Sequence, residues 1–138
     1  MNTKSQLYKI TDGGLTSYEI PMGKVIVVGI PSAFSPGCTN KHLPGFANNI
    51  DKLSDYKVVM VAIETPYTME VWNEIHGNEK IDSVADPLGS FCEKLSEVCG
   101  QWENMMGKTC NRFAYLFEDG KVSKKFSNPW FEDVYKEL

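Results

Sequence analysis

The chain has 138 residues, of which 42% are hydrophobic and 23% are charged, so we expect one folded domain over residues 1–138 rather than a disordered chain. The net charge is −4 and no basic run exceeds the pair Lys124-Lys125, which disfavours a nucleic-acid-binding surface. No apolar run approaches the roughly 18 residues of a membrane span, and residues 1–6 lack the apolar core of a secretory signal. We expect a soluble, cytoplasmic protein with no membrane partner, or an organellar one if a targeting segment is missing from this sequence.

Short apolar runs rich in β-branched residues alternate along the chain with stretches of helical periodicity. The predicted elements, in chain order, are a buried strand at 23–31, a helix at 35–53 interrupted near Pro44, a buried strand at 56–63, a helix at 66–76, a short strand at 83–86, a helix at 88–99, a β-hairpin of strands 112–118 and 121–126, and a closing helix at 130–138. In the helix at 66–76 we expect Val71, Trp72 and Ile75 on one side. This order predicts an α/β fold with a partly parallel sheet and helices on both faces.

The cysteines are Cys38, Cys92, Cys99 and Cys110. They include no C-x-x-C pair, which argues against a dithiol reductase, and no ligand pairs at zinc spacing, so we predict neither a metal nor a cofactor. Four cysteines are too few for a disulfide-scaffolded secreted fold. We therefore expect four free thiols in a reducing compartment.

The segment from Pro31 to Cys38 joins the first predicted strand to the first predicted helix. Ser35 is a preferred N-cap residue and Pro36 suits the first helical position, so Cys38 falls in the first helical turn. Unpaired backbone N–H groups and the positive end of the helix dipole there favour a thiolate and bind a developing oxyanion. Gly37 has no side chain and lets a small ligand approach the backbone beside the sulfur. The alternative is that Cys38 is a small buried hydrophobic residue.

The pattern Pro31-x-x-x-Ser35-x-x-Cys38 matches the peroxiredoxin motif P-x-x-x-[T/S]-x-x-C. The stretch 29–46 resembles specifically the type II, or peroxiredoxin-5-like, subfamily. Three later stretches agree with that subfamily in order: residues 64–72, 85–91 and 112–120. The resemblance implies a thioredoxin-like fold, with a central mixed sheet, helices on both faces and a C-terminal β-hairpin plus helix. It also implies thiol-dependent reduction of peroxides.

The resemblance implies roles for three residues besides the cysteine. Arg112 corresponds to the family's active-site arginine, whose fixed charge and forked donors suit a thiolate and a peroxide; the alternative is a surface salt bridge. The Ser35 hydroxyl can donate and accept, so it can bridge the sulfur and the substrate, or it serves only as a helix cap. Pro31 shields the sulfur and shapes the pocket, or it only ends the strand.

A sulfenic acid formed on Cys38 needs a second thiol for its reduction. Some type II members carry that thiol in the strand following the first helix or near the C-terminus, and this chain has a cysteine in neither place. Cys92 and Cys99 lie about 10 Å apart on one predicted helix, too far to bridge, so packing is the predicted role of both. Cys110 is the best candidate for a second redox thiol, because its side chain points the same way as Arg112 if one strand holds both. The alternative is an external thiol, either thioredoxin or glutathione with glutaredoxin.

Two further features leave alternatives open. His42 lies four residues after Cys38 on the same helical face, where it is either a base or a residue that packs and bonds to backbone. Five aromatic residues either wall a pocket or pack in the core: Phe34, Phe46, Tyr67, Phe91 and Trp102.

The resemblance also implies a homodimer and a peroxidase acting on hydrogen peroxide and small organic hydroperoxides. One alternative is a peroxide-sensing redox relay protein with little turnover. Another is an inactive module with a structural Cys38, against which the presence of Ser35 and Arg112 argues.

Overall fold

The computed structural model describes residues 6–138; residues 1–5, part of the stretch in which we expect no secretory signal, lie outside it. The strands are β1 (Leu7–Thr11), β2 (Gly14–Tyr18), β3 (Lys24–Gly29), β4 (Lys57–Ala62), β5 (Ile81–Ala85), β6 (Val98–Cys99), β7 (Thr109–Cys110), β8 (Phe113–Glu118) and β9 (Lys121–Lys125). The α-helices are α1 (Leu43–Ala47), α2 (Pro66–His76), α3 (Ser90–Lys94), α4 (Glu103–Met106) and α5 (Phe131–Lys136). A π-helical turn spans Cys38–His42 and a 3₁₀ turn spans Ile50–Leu53. Within residues 6–138, no helix has the length and apolar character needed to cross a bilayer.

Seven strands form one sheet in the order β2-β1-β5-β4-β3-β8-β9. Strands β3, β4 and β5 are parallel, whereas β8 and β1 pair antiparallel with the two sides of this parallel centre. β6 and β7 form a separate antiparallel pair. The predicted mixed sheet and its C-terminal hairpin are thus confirmed. The N-terminal hairpin β1-β2 is an element that the sequence patterns did not predict.

Both faces of the central sheet are buried. Along β3, Ile26 and Val28 pack in one hydrophobic cluster, whereas the alternating residues Val25 and Val27 pack in the other. Side chains of a strand point alternately to the two faces, so a strand covered on both sides reads as a continuous apolar run. This explains why β3 and β4 were predictable from composition alone, and it confirms helices on both faces.

The helical segment after β3 is not a regular α-helix. Residues 36–47 are helical, but the amide of Leu43 donates to the carbonyl of Cys38 across the π-helical turn. Pro44 has no N–H with which to continue the regular ladder, so a wider turn before it accommodates the proline. The predicted interruption near Pro44 therefore takes the form of a π-helical turn between Cys38 and α1.

Two helix predictions are corrected by the structure. The helix predicted at 88–99 ends at Lys94, and Cys99 lies instead in β6.

The second correction concerns the apolar side of α2 and not its bounds. α2 has exactly the predicted bounds, because the Thr65 hydroxyl caps the amide of Thr68 and Pro66 takes the first helical position. Its buried residues are Met69 and Trp72, whereas Val71 and Ile75 are exposed, so the predicted apolar side was wrong for those two.

Cys92 and Cys110 are joined by a disulfide with a Cα–Cα distance of 6.0 Å. The expectation of four free thiols is therefore wrong for this pair, and Cys38 and Cys99 are the free cysteines. Packing alone does not describe the role of Cys92. The prediction failed because Cys92 and Cys110 are distant in sequence and meet only where β7 returns beside α3.

We predict that the Cys92→Ala/Cys110→Ala variant is less stable than the wild type. Closing a loop across a separation of 18 residues restricts the unfolded chain, which corresponds to about 3 kcal/mol. Urea unfolding measures the loss, and Cys99→Ala is the matched control because it removes a thiol and no cross-link. Equal midpoints for the wild type and the double variant would show that the bond adds no stability.

Candidate functional site

The site lies where the carboxyl end of β3 meets the amino end of β8. The antiparallel pairing of these strands ends at Gly29 opposite Phe113. A Cβ atom at Gly29 would overlap the ring of Phe113, so only glycine allows this close approach. The register brings Arg112, the residue before β8, beside the loop that leaves β3. Parallel α/β sheets place ligands at this carboxyl edge.

The guanidinium of Arg112 contacts the sulfur of Cys38. Nη2 of Arg112 donates to the Cys38 sulfur at 3.2 Å, across a sequence separation of 74 residues. Cys38 is fully buried and Arg112 is partly buried. A charge-assisted hydrogen bond in a low-dielectric setting stabilises a thiolate more strongly than it would in water. The structure thus brings together the two residues on which the sequence hypothesis depends.

The first helical turn is built as expected at the backbone and differently at the side chains. The carbonyl of Ser35 accepts a hydrogen bond from the amide of Thr39 at 2.9 Å. The Ser35 hydroxyl donates to the carbonyl of Ser32 at 2.8 Å, so its hydrogen points away from the sulfur. In this arrangement Ser35 is neither a side-chain cap nor a donor to Cys38, but its oxygen can still accept.

Gly37 makes room for the arginine rather than leaving an empty space. A Cβ atom at this position would lie 3.2 Å from Nη2 of Arg112, tighter than an ordinary carbon contact. The predicted function of Gly37 was to let a small ligand approach the backbone. In the structure, the group that approaches it is the Arg112 guanidinium.

Arg112 is held on its far side by His42 and Trp130. Nη1 of Arg112 lies 2.7 Å from Nδ1 of His42, and Nε2 of His42 lies 2.7 Å from the carbonyl oxygen of Pro129. The indole of Trp130 stacks within 4.9 Å of the guanidinium carbon and 4.6 Å of the imidazole centroid. Burial is the main cause that lowers the pKa of His42 to about 4; the charges of Arg112 and Lys41 act in the same direction, and the bond to Pro129 opposes them. His42 is therefore neutral near pH 7.

A pocket of about 240 Å³ opens beside this pair. Its lining residues are Pro31, Ser32, Ser35, Trp102, Met106 and Arg112. Of the five aromatic residues considered as pocket walls, Trp102 lines the pocket. Phe46 is buried in the core, Phe91 is partly buried and packs against the core, and Phe34 and Tyr67 are exposed. The mixture of apolar walls and one cationic donor suits a small polar ligand with an apolar substituent.

Glu64 fixes the loop between β3 and Cys38, a role that the sequence hypotheses missed. Its carboxylate accepts hydrogen bonds from the amide of Ala33 at 3.1 Å and the hydroxyl of Ser32 at 3.3 Å. Burial raises the pKa of Glu64, against these two hydrogen bonds that lower it. Glu64 follows β4, and the carboxyl ends of adjacent parallel strands share one sheet edge, which is the signal that could have identified it.

The structure places the predicted site residues in two groups. Pro31, Ser35 and Arg112 line the pocket, and Arg112 in turn contacts the Cys38 sulfur and lies against Gly37. Cys110, the candidate second redox thiol, is bonded to Cys92 instead. β7 ends at Cys110 and β8 begins after Arg112, so no single strand holds both residues, and the condition for their side chains to point the same way is not met.

One group of metal-ligating side chains lies close together within residues 6–138. It comprises Asp86, Cys92 and Cys110, whose ligand atoms are within 4.8 Å of one another. The two sulfurs are bonded to each other, so they offer no thiolate to a metal. The Asp86 carboxylate accepts hydrogen bonds from the amides of Phe91 and Cys92. We therefore interpret this group as a buried disulfide beside a hydrogen-bonded carboxylate.

Comparisons with known proteins show the family to which the chain is related. The model of the Redoxin family matches residues 8–136. Peroxiredoxin-2C of Oryza sativa is 33% identical over 104 residues, which are 72% of this chain and 64% of that protein. The chain thus spans somewhat less than two thirds of this relative.

Solved structures with a similar fold include two peroxiredoxins. Reduced Prx3 from Vibrio vulnificus in complex with hydrogen peroxide has a TM-score of 0.84 at 24% identity, covering 95% of this chain and 91% of its own. Peroxiredoxin 5 from Alvinella pompejana has a TM-score of 0.80 at 22% identity, covering 94% and 90%. These matches confirm the thioredoxin-like fold.

We predict that His42 makes the folding stability decrease as the pH is lowered from its ordinary pKa of 6.5 to about 4. In that window the unfolded chain takes up a proton that the folded chain refuses, so stability rises with pH and the full change is about 3 kcal/mol. Urea unfolding at a series of pH values measures the slope. The difference between the wild type and His42→Leu separates the contribution of His42 from that of the titrating carboxylates. Parallel curves of stability against pH for the two proteins would contradict the lowered pKa of His42.

Proposed function

The chain belongs to the redoxin family, and we propose that it acts as a thiol-dependent peroxidase on hydrogen peroxide and small organic hydroperoxides. The observation that carries this proposal is the 3.2 Å hydrogen bond from Arg112 to the Cys38 sulfur beside a small pocket. A sulfur held against a permanent cation is suited to nucleophilic attack. The peroxiredoxin relatives support the same chemistry.

In the proposed reaction, the Cys38 thiolate attacks one oxygen of the peroxide. A sulfur–oxygen bond forms while the oxygen–oxygen bond breaks, and the electron pair of the broken bond leaves on the second oxygen. That oxygen takes up a proton and departs as water or an alcohol. Cys38 is oxidised to a sulfenic acid and the peroxide is reduced, so atoms and electrons balance.

Ionisation of the sulfur is the smaller part of the catalysis. A free cysteine is a few per cent thiolate at pH 7, so complete ionisation raises its rate by about thirtyfold, or about 2 kcal/mol. Further acceleration requires stabilisation of the charge that grows on the leaving oxygen. Arg112 is placed for this task because it lines the pocket and contacts the sulfur at once.

Ser35, Pro31 and Gly37 shape the remainder of the proposed site. The Ser35 hydroxyl donates its hydrogen to Ser32, so its lone pairs can accept a hydrogen bond from the peroxide O–H. Pro31 lines the pocket and limits the approach of larger molecules to the sulfur. Gly37 lets the guanidinium lie close to the helix start.

The full burial of Cys38 sets a condition on the reaction. A peroxide must reach the sulfur through the pocket lined by Pro31, Ser35 and Arg112. A protein thiol needs more room, so the turn that carries Cys38 has to open before the sulfenic acid is reduced. Phe34 has a φ of 66° and Cys38 begins a π-helical turn, and such irregular backbone is typical of segments that rearrange.

We propose that an external thiol completes the cycle. The thiol condenses with the sulfenic acid, releasing water and forming a mixed disulfide, which a second thiol reduces to regenerate Cys38. Thioredoxin and glutaredoxin with glutathione are the proposed reductants. Cys92 and Cys110 cannot serve this purpose while they are bonded to each other.

The assembly and location of the protein are proposals as well. We propose a homodimer formed through loops around the site, which the exposed Phe34 beside Pro31 supports. We propose a cytoplasmic location. Disulfides are rare in a reducing compartment, but both cysteines of the Cys92–Cys110 bond are fully buried. Reduced glutathione therefore has no direct access to this bond, which makes the bond compatible with that location.

The second candidate function is a peroxide-sensing redox relay with little turnover. The enclosure of Cys38 favours it, because a buried sulfenic acid persists until a partner opens the site. Steady-state peroxide consumption with a reductant separates the two functions. Repeated turnover supports a peroxidase, whereas a single turnover supports a relay.

We predict that the protein consumes hydrogen peroxide repeatedly when thioredoxin or glutaredoxin with glutathione is present. Cys38→Ser should abolish consumption, because the nucleophile is lost. Cys99→Ser is the matched control, since it removes the other free thiol and should leave the rate unchanged. Peroxide consumption by Cys38→Ser at the wild-type rate would refute the proposal.

We predict that Arg112→Met lowers the second-order rate with peroxide by about 10²-fold or more, because a donor to the reacting atoms is removed. Arg112→Lys should recover part of the rate, since it restores the charge without the fork. Stopped-flow kinetics measures both rates. The exposed Lys108→Met is the control, and an equal loss in that variant would show that net charge alone matters.

A further inference from the structure

A chain of three hydrogen bonds leads from a backbone carbonyl to the sulfur. The links join the Pro129 carbonyl to Nε2 of His42 at 2.7 Å, Nδ1 of His42 to Nη1 of Arg112 at 2.7 Å, and Nη2 of Arg112 to the Cys38 sulfur at 3.2 Å. His42 is buried, and both of its ring nitrogens take part. Both ring nitrogens of His42 are thus used in this series of hydrogen bonds.

The chemistry of the end groups fixes the state of the imidazole. A carbonyl oxygen only accepts hydrogen bonds and a guanidinium only donates them. Nε2 must therefore carry the hydrogen that goes to Pro129, and Nδ1 must offer its lone pair to Arg112. His42 is neutral in this tautomer, so it cannot take a proton from Cys38 while it holds the arginine.

The rigidity of the guanidinium transmits this constraint to the sulfur. Nη1 and Nη2 belong to one planar group, so fixing Nη1 on His42 also fixes the direction of Nη2. Trp130 packs against both the guanidinium and the imidazole and limits rotation out of that plane. Cys38 and His42 are four residues apart on one helical segment, so one turn of the backbone presents both partners to the same side chain.

We propose that His42 is a positioning residue whose neutral Nδ1 holds Arg112 in the orientation that directs Nη2 at Cys38. The inference rests on the proposed function only in taking Cys38 as the reactive thiol. It replaces the sequence-based alternative of a histidine base. Loss of the Nδ1 acceptor should loosen the guanidinium and lower the reactivity of the sulfur without removing any group that contacts it.

The test uses alkylation of Cys38 by iodoacetamide in a Cys99→Ser background, where the disulfide leaves Cys38 as the reactive thiol. His42→Leu should lower the alkylation rate about tenfold, as expected for loss of one buried hydrogen bond. His42→Asn should stay within about threefold of the parent, because its side-chain oxygen can replace Nδ1 as the acceptor. Phe46→Leu is the matched control, because it perturbs the ring beside His42 outside the hydrogen-bonded chain.

A double-mutant cycle with Arg112→Lys separates positioning from general damage. If His42 acts through Arg112, His42→Leu should change the alkylation rate by no more than about twofold in the Arg112→Lys background. Additive losses, or equal losses in Phe46→Leu and His42→Leu, would overturn the proposal. Alkylation involves no peroxide, so a protein that shows the coupling but reduces no peroxide would refute the proposed function and leave the role of His42 standing.

Discussion

The site depends on one contact, the hydrogen bond from the Arg112 guanidinium to the buried sulfur of Cys38. Burying a charge is costly without a partner, and the Cys38 sulfur gives the partly buried guanidinium a hydrogen-bond acceptor. The two residues lie 74 positions apart in the sequence. The antiparallel pairing of β3 with β8 brings them together, and the glycine at position 29 allows the strands' ends to approach.

The surrounding residues can be understood by how they serve this contact. Glu64 holds the loop before Cys38, whereas His42 and Trp130 hold Arg112 from the opposite side. The π-helical turn presents Cys38 and His42 to one guanidinium. Most of these groups would look ordinary in isolation. Together they confine a cation and a sulfur to one orientation at the edge of a small pocket.

The first helical turn and the buried strands were predictable because their signals are local, whereas the role of Arg112 was implied only by the family resemblance. The proline, serine and cysteine of the 31–38 segment predict a helix start, and the apolar runs of β3 and β4 predict strands buried on both faces. Two of the failures are non-local. The Cys92–Cys110 bond depends on the return of β7 beside α3, and Trp102 reaches the pocket from a segment without strong periodicity. The β1-β2 hairpin was missed because its strands are short, mostly half-buried or exposed, and carry no continuous apolar run.

The direction of the Ser35 hydroxyl and the role of His42 were also beyond the sequence. Serine at a helix start is compatible with a cap, a bridge to the sulfur or a bond to the preceding loop, and only the structure selects the last. A histidine four residues after a cysteine is compatible with a base or with a residue that packs and bonds to backbone. Its bond to the Pro129 carbonyl agrees with the second alternative, and its bond to Arg112 is the contact that the sequence did not indicate.

The central claim is that the sulfur of Cys38 is the atom that reduces the peroxide. Mass spectrometry after one equivalent of hydrogen peroxide, with dimedone present to trap sulfenic acid, tests it most directly. The account predicts a dimedone adduct on the peptide that carries Cys38, with the Cys92–Cys110 bond intact. Oxidation confined to Cys99 or to exposed methionines such as Met105, with Cys38 unmodified, would contradict it.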